Sequence, residues 1–302
     1  MIRLASYIVR GPNQATLVVL VFAVLSLFLP LVSLFSSASL ALVALRDGFR
    51  PSVRVLAGAA VVLTISGALI SGTIIAPLIY GALMWLPSWA VALVLRHTRQ
   101  FGWSVELAVI LGLVGVSVAY ALVDNPAAMW QERFQMLLAP LADRAAEGSI
   151  AGIDRFADQL APYLTGIIAA GSVSSVALSL ILARWWQSVL FNPGGFGAEF
   201  LAMRLHKVTH IAGIVCLLIS FFGSATAAEL FVNLLIVLSV PFVLLGFSIV
   251  HRLFSARADR RFWLAGVYVL AMVVPQFLLP VALIGITDAW VGWRERWTRR
   301  GS

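Results

Sequence analysis

Uninterrupted apolar runs of roughly 18 residues or more return along the whole chain, and each is close to the length a helix needs to cross the hydrocarbon core of a bilayer. Inside that core no water satisfies backbone amides, so only helices and closed barrels can span it. The runs are continuous rather than alternating, which selects helices over a barrel. Composition agrees. The 302 residues are 61% hydrophobic and 11% charged, where a soluble domain carries about a quarter charged. The expected fold is all-α: a single polytopic integral membrane bundle over 1–302, with about eight to ten membrane segments and surface amphipathic helices.

The segments follow from proline, glycine and arginine. Ala15–Leu45 is broken at Pro30 and reads as two short helices or a re-entrant hairpin. Val55–Gly72 and Thr73–Leu95 form a helical pair joined at Ser71-Gly72, with Pro77 and Pro87 bending the second. Trp103–Val123 is the next crossing. Asp124–Leu160 is the one long polar connection, with Asp124, Glu132, Asp143, Glu147, Asp154 and Asp158 against Arg133, Arg144 and Arg155. Trp130, Phe134, Leu137, Leu138 and Leu141 fall at helical spacing, as do Ile150, Ile153, Phe156 and Leu160, which predicts an extracytoplasmic amphipathic cap over 124–160. Tyr163–Ala183 crosses back, and Ile211–Phe222 and Leu230–Val250 follow. Phe262–Ile286 contains Pro275 and Pro280 and is expected to form a broken hairpin.

Charge sets orientation. The net charge is +8, and all but one of the 21 Lys and Arg residues are arginine. Placing 46–54, 96–102, 184–207 and 251–261 inside gathers most of them on the cytoplasmic face of a bacterial inner membrane. The N-terminus, with Arg3 and Arg10 and no small-residue cleavage site, reads as a retained cytoplasmic start. The hairpin reading returns the C-terminus to the cytoplasm. There 288–302 is expected to lie in the interface as a helix, with Trp290, Trp293 and Trp297 in the headgroups and Arg294 and Arg296 on phosphate.

The longest polar, glycine-rich stretch on that inner face is 184–207. Arg184-Trp185-Trp186-Gln187 precedes Asn192-Pro193-Gly194-Gly195-Phe196-Gly197, then Glu199-Phe200 and Arg204. Asn-Pro followed by Gly-Gly dictates a reversal, and the tryptophans suit a membrane–water boundary. Glu199 is expected in the first turn of a short helix, complementing its dipole. Phe196 and Phe200 should rest on lipid or on the underside of the bundle while Arg204 faces water. This cytoplasmic loop is the candidate docking surface.

Chemistry-bearing groups are few. Glu106 is an acid inside an apolar run and so a functional candidate, although its closeness to Gly102 lets the carboxylate reach interfacial water. Glu229 and Asn233 are read as capping or surface groups. Gln276 stands between two prolines, where an amide could satisfy freed backbone or line a cavity. Gly67–Ser71 and Gly171–Ser175 have the spacing of close helix approach. The single Cys216 excludes an intramolecular disulfide. No phosphate loop, paired metal-binding histidines or nucleophile elbow occurs, so no catalytic residue, cofactor or metal is assigned, and no nucleic-acid partner is expected.

The segment Arg184–Gln187 with Asn192–Gly197 and Glu199-Phe200 resembles the proteobacterial branch of the YybS-like predicted membrane proteins. The early Ser39–Gly48 segment and the closing Gly285–Asp288 share the resemblance. That family is grouped by remote similarity with the substrate-binding membrane subunits of energy-coupling-factor transporters. The resemblance implies an outward-facing pocket for a small-molecule ligand, and a cytoplasmic face that docks a protein partner carrying the ATPase. Six helices are usual there, and this chain has more. Three functions therefore compete: a substrate-binding transport subunit; a scaffold using its basic loops on protein partners or anionic lipid headgroups; and an intramembrane enzyme or lipid handler relying on Glu106.

Overall fold

A computed structural model describes residues 1–142, 147–255 and 257–293. From the N-terminus, α1 (Ile2–Ile8) and α2 (Pro12–Leu25) lead through a turn at Pro30 into α3 (Ser33–Asp47). Every residue of α3 from Ser36 to Leu45 is buried. Its alternation of Ser, Ala, Leu and Val explains why. Small side chains admit neighbouring helices closely, and the hydroxyls carry their own partners. Ser36 Oγ donates to the Val19 carbonyl (2.8 Å) and accepts from Trp85 Nε1 (3.0 Å). The Pro30 break thus yields a helical hairpin, α2 against α3, as expected.

α4 (Phe49–Ser71) stops at Gly72, whose φ of 67° is left-handed. α5 (Ile75–Tyr80) passes through a π turn at Gly81–Trp85 into α6 (Leu86–Thr98). The wide turn sits just ahead of Pro87, which lacks an N–H for the α ladder and would crowd the preceding turn. The remaining helices are α7 (Phe101–Leu122), α8 (Pro126–Ala142), α9 (Glu147–Leu160), α10 (Leu164–Phe191), α11 (Gly195–Leu201), α12 (Lys207–Phe222), α13 (Ala225–Phe254), α14 (Arg260–Val273) and α15 (Leu278–Val291). Among the described residues there is no strand.

Among the described residues six stretches are long and apolar enough to cross a membrane: Pro30–Asp47, Phe49–Ile70, Ile75–Thr98, Phe101–Leu122, Asp154–Phe191 and Ala225–Phe254. Pro12–Leu25, Lys207–Phe222 and Pro275–Val291 are shorter apolar helices. The protein is a multi-pass membrane-embedded helical bundle. Side chains such as Ile70, Phe222 and Met272, all more than four-fifths exposed, belong against lipid.

The chain divides into two units. One comprises Met1–Ala108, Ser172–His206 and Pro241–Ser302; the other comprises Val109–Gly171 and Lys207–Val240. The second unit is organised on Asn233, which is fully buried. The two N–H groups of its Nδ2 are shared among Tyr120 Oη (2.9 Å), Pro162 O (2.7 Å) and Glu229 O (2.9 Å), and its Oδ1 accepts the Gly166 N–H (2.6 Å). Tyr120 Oη donates in turn to Glu229 Oε1 (2.8 Å). Of the capping or surface role expected of it, Asn233 takes the capping one: it is buried and accepts an N–H from the first turn of α10. The 124–160 connection does form two helices, α8 and α9, and Trp130 Nε1 of α8 donates to Thr165 Oγ1 (3.0 Å). Asp143 and Arg144 lie outside the described residues, as do the side chains of Ile150 and Ile153.

In the first unit the C-terminal crossing corrects the hairpin expectation. Phe254 stacks on Trp263 and Phe247 on Tyr268, so α14 runs antiparallel to α13. A Cβ on Gly246 would meet Val281 O, and one on Gly285 would meet Phe242 O, so α15 is antiparallel to α13 as well. The two halves therefore continue in one direction through the break at Pro275. Phe277 N–H returns to Val274 O (2.9 Å) in the 3-10 turn there. That local bond pairs one carbonyl at the break. Gln276 is exposed.

Candidate functional site

The site is assembled where α3, α6 and α10 end and α7 begins. α10 runs to Phe191, so Arg184–Gln187 lie in its last turns and not in a loop. Asn192 N–H still bonds Ser188 O (2.9 Å), and Pro193 and Gly194 then reverse the chain. Gly194 takes φ +85°, which an L side chain rarely adopts. Gly195 is required for a different reason: a Cβ there would lie 2.3 Å from Asn192 Nδ2. Ser188 Oγ closes the reversal, donating to Asn192 O (2.8 Å) and accepting the Phe196 N–H (3.2 Å).

The reversal lays α11 against the end of α10. Glu199 meets Arg184 in a two-pronged pair, Nε to Oε2 at 2.8 Å and Nη2 to Oε1 at 2.5 Å. Arg184 is buried, so the pair neutralises a charge that burial alone would penalise heavily. Glu199 thus braces the turn; it is the fifth residue of α11 rather than a first-turn partner of the helix dipole. Phe196 and Phe200 pack edge-on to Phe101, and Phe200 reaches His251. Ser248 Oγ donates to Phe200 O (2.6 Å). Arg204 is exposed as expected. Trp185 is partly exposed, whereas Trp186 is buried and tilts against Phe35, in the core rather than at a boundary.

Farther along the same stretch, residues 204–206 lie on the start of α7. A Cβ on Gly102 would come within 1.9 Å of Arg204 O. One turn later Glu106 accepts the His206 N–H (2.7 Å) and pairs with His206 Nδ1 (2.5 Å), with Trp103 edge-on to the imidazole at 4.4 Å. The carboxylate is buried, so Glu106 anchors this strap and does not open into interfacial water.

Beside the brace is a cavity of about 430 Å³. Leu45 and Leu95 form its buried floor, Arg184 and Glu199 one wall, and Gln187, Asn192, Arg96 and Arg99 its polar rim. Arg96 Nη1 donates to Leu45 O (2.7 Å) and to Arg46 O, and Gln187 Nε2 donates to Leu45 O (3.3 Å). These donors cover the open carbonyls at the end of α3. Arg96 and Arg99 were legible in the sequence only as topology signals; no motif links them to Arg184. Gln276 and Trp290 lie away from this cluster, along and at the far end of the broken crossing. Trp293 Nε1 donates to Thr287 Oγ1 (3.0 Å), and α15 ends at a left-handed Gly292, so the helix carrying Trp290 stops there. Arg294, Arg296 and Trp297 lie outside the described residues. Among the described residues no group of three or more His, Cys, Asp or Glu could hold a metal ion.

No protein-family model, curated protein or solved structure matches the chain.

Proposed function

We propose that this chain is a membrane-embedded substrate-binding subunit of a bacterial inner-membrane transport system, energised by a separate protein that docks on its basic face. One observation carries the reading. Segments 46, 96–102, 184–206 and 251, far apart in sequence, are locked to one another by the contacts around Arg184, Phe200 and Leu45. A surface held this firmly suits docking, because little ordering entropy remains to be lost on association. Under the positive-inside rule this face is cytoplasmic, and α14 and α15, read as one crossing, bring Val291 to the opposite side. The sequence has no phosphate loop, and a separate energising partner is part of this reading. The resemblance of 184–200 to the YybS-like proteins, and through them to energy-coupling-factor subunits, supports the same assignment.

A scaffold gathering protein partners or anionic lipid on this face is the second reading. It is favoured by the cavity, which lies at the basic helix ends whereas the resemblance implies a pocket opening outward. The test is gentle detergent extraction followed by native mass spectrometry. A bound small molecule together with a copurifying ATPase supports transport, and Gly195→Val should release that partner while leaving the protein in the membrane. Recovery with neither ligand nor ATPase overturns the transport reading.

A further inference from the structure

We infer that the cavity framed by α3, α6, α10 and α11 is an anion site that takes a phosphate ester, with Arg99 and Arg96 as its principal contacts. This deepens the reading of the basic face as the working surface and rests on it. Three guanidinium groups and one carboxylate line the cavity. Both Glu199 oxygens are engaged with Arg184, so among the described residues no carboxylate pairs with Arg96 or Arg99. The end of α3 would repel an anion if its carbonyls were open. Arg96 and Gln187 already cover them, and the same bonds fix the plane of the Arg96 guanidinium.

Arg99 carries the argument further. It follows α6 at φ +55°, the one non-glycine residue with positive φ among the described residues. Glycine or asparagine normally occupies such a helix stop, and an arginine there works against its own backbone preference. Its backbone N–H bonds Leu95 O (2.8 Å), yet its guanidinium is exposed and has no protein partner among the described residues. A residue kept in an unfavourable conformation, aiming an unpaired charge at the rim of a polar cavity, is explained by what the side chain binds. The planar guanidinium fork matches two oxygens of a phosphate. The Gln187 and Asn192 amides also line the cavity, and its volume leaves room for the esterified group. A lipid headgroup and a soluble phosphorylated molecule present the same chemistry.

Arg99→Gly provides the test, because glycine suits the left-handed backbone and should leave the fold at least as stable. The full-length protein is purified in mild detergent. Thermal unfolding is followed with inorganic phosphate against chloride at equal ionic strength, and phosphatidylglycerol retention is read by native mass spectrometry after reconstitution in phosphatidylglycerol–phosphatidylcholine vesicles. Phosphate stabilisation that is lost in Arg99→Gly, with affinity down at least about tenfold, assigns a soluble ligand. Phosphatidylglycerol retained by the native protein and lost in the variant, with no response to phosphate, assigns a lipid headgroup. Equal responses in both proteins, or no binding by either, overturn the site. Arg99→Lys, which keeps the charge and loses the fork, should be intermediate and serves if Arg99→Gly does not fold. Partner copurification is scored on the same samples. Native protein that binds phosphate without a partner removes the transport reading and leaves the site standing, whereas a retained partner without anion binding does the reverse.

Discussion

Gly246 and Gly285 sit at backbone contact across α13 and α15. A Cβ on the first would lie 2.0 Å from Val281 O, and one on the second 2.0 Å from Phe242 O. The pairing is reciprocal at a spacing of four residues on both helices, as an antiparallel crossing requires. Neither obstacle is a flexible side chain, so neither helix can yield locally. Gly246→Ala and Gly285→Ala should each cost about 3 kcal/mol, the upper end for overpacking, read as a lowered midpoint of thermal unfolding in detergent. Gly171, which has nothing within 4 Å of its would-be Cβ, is the control. Gly171→Ala should be neutral or stabilising by up to about 1 kcal/mol.

The Arg184–Glu199 brace makes a second prediction. Removing one partner leaves a charge uncompensated at a largely buried position, which costs about 3–5 kcal/mol in buried pairs. Glu199 is about a quarter exposed, so the lower end applies. Glu199→Ala should therefore destabilise more than Arg184→Met combined with Glu199→Leu, which removes both charges. Chemical denaturation of the three proteins checks the order, and a single variant milder than the double would disprove the brace.

Asn233 holds the second unit through one amide. Asn233→Leu keeps similar bulk but leaves the Gly166 N–H and the Pro162 carbonyl without a partner, at about 1–3 kcal/mol for each buried group. Tyr120→Phe, which removes only the phenol, should cost less. Hydrogen exchange at Gly166 gives a local readout, with protection lost in Asn233→Leu and largely kept in Tyr120→Phe.

The direction of α15 makes a prediction about sidedness. A reporter fused after Ser302 should score on the side opposite to one inserted at Gly197. Single cysteines at Trp293 and Arg204, labelled with a membrane-impermeant maleimide in intact cells and in inverted vesicles, check it independently. Labelling of both from the same side would restore the hairpin.

Much of the bundle was legible because bilayer length and proline are local constraints. The break at Pro30, the reversal at Asn192–Gly195 and the stop at Gly72 each depend on a few neighbouring residues, and all three occur. The direction taken after Pro275 was not legible, since a proline break permits a hairpin or a continued crossing. Contacts with α13, made by Gly285 and Trp263, choose between them. The same limit applied to Trp186, which reads as a boundary residue until Phe35 encloses it.

By itself the sequence determined the class: an all-helical membrane-embedded chain whose basic residues gather at particular helix ends, because the cost of burying amides and charges in hydrocarbon acts on every residue wherever it packs. Only the tertiary structure decided which of those ends meet. Glu106 became an anchor because His206 lies over it, a hundred residues later. Arg96 and Arg99 came to line one cavity because α10 brings Arg184 and Gln187 beside them. Pairings of this kind depend on helix packing across long sequence separations, and no local periodicity encodes them.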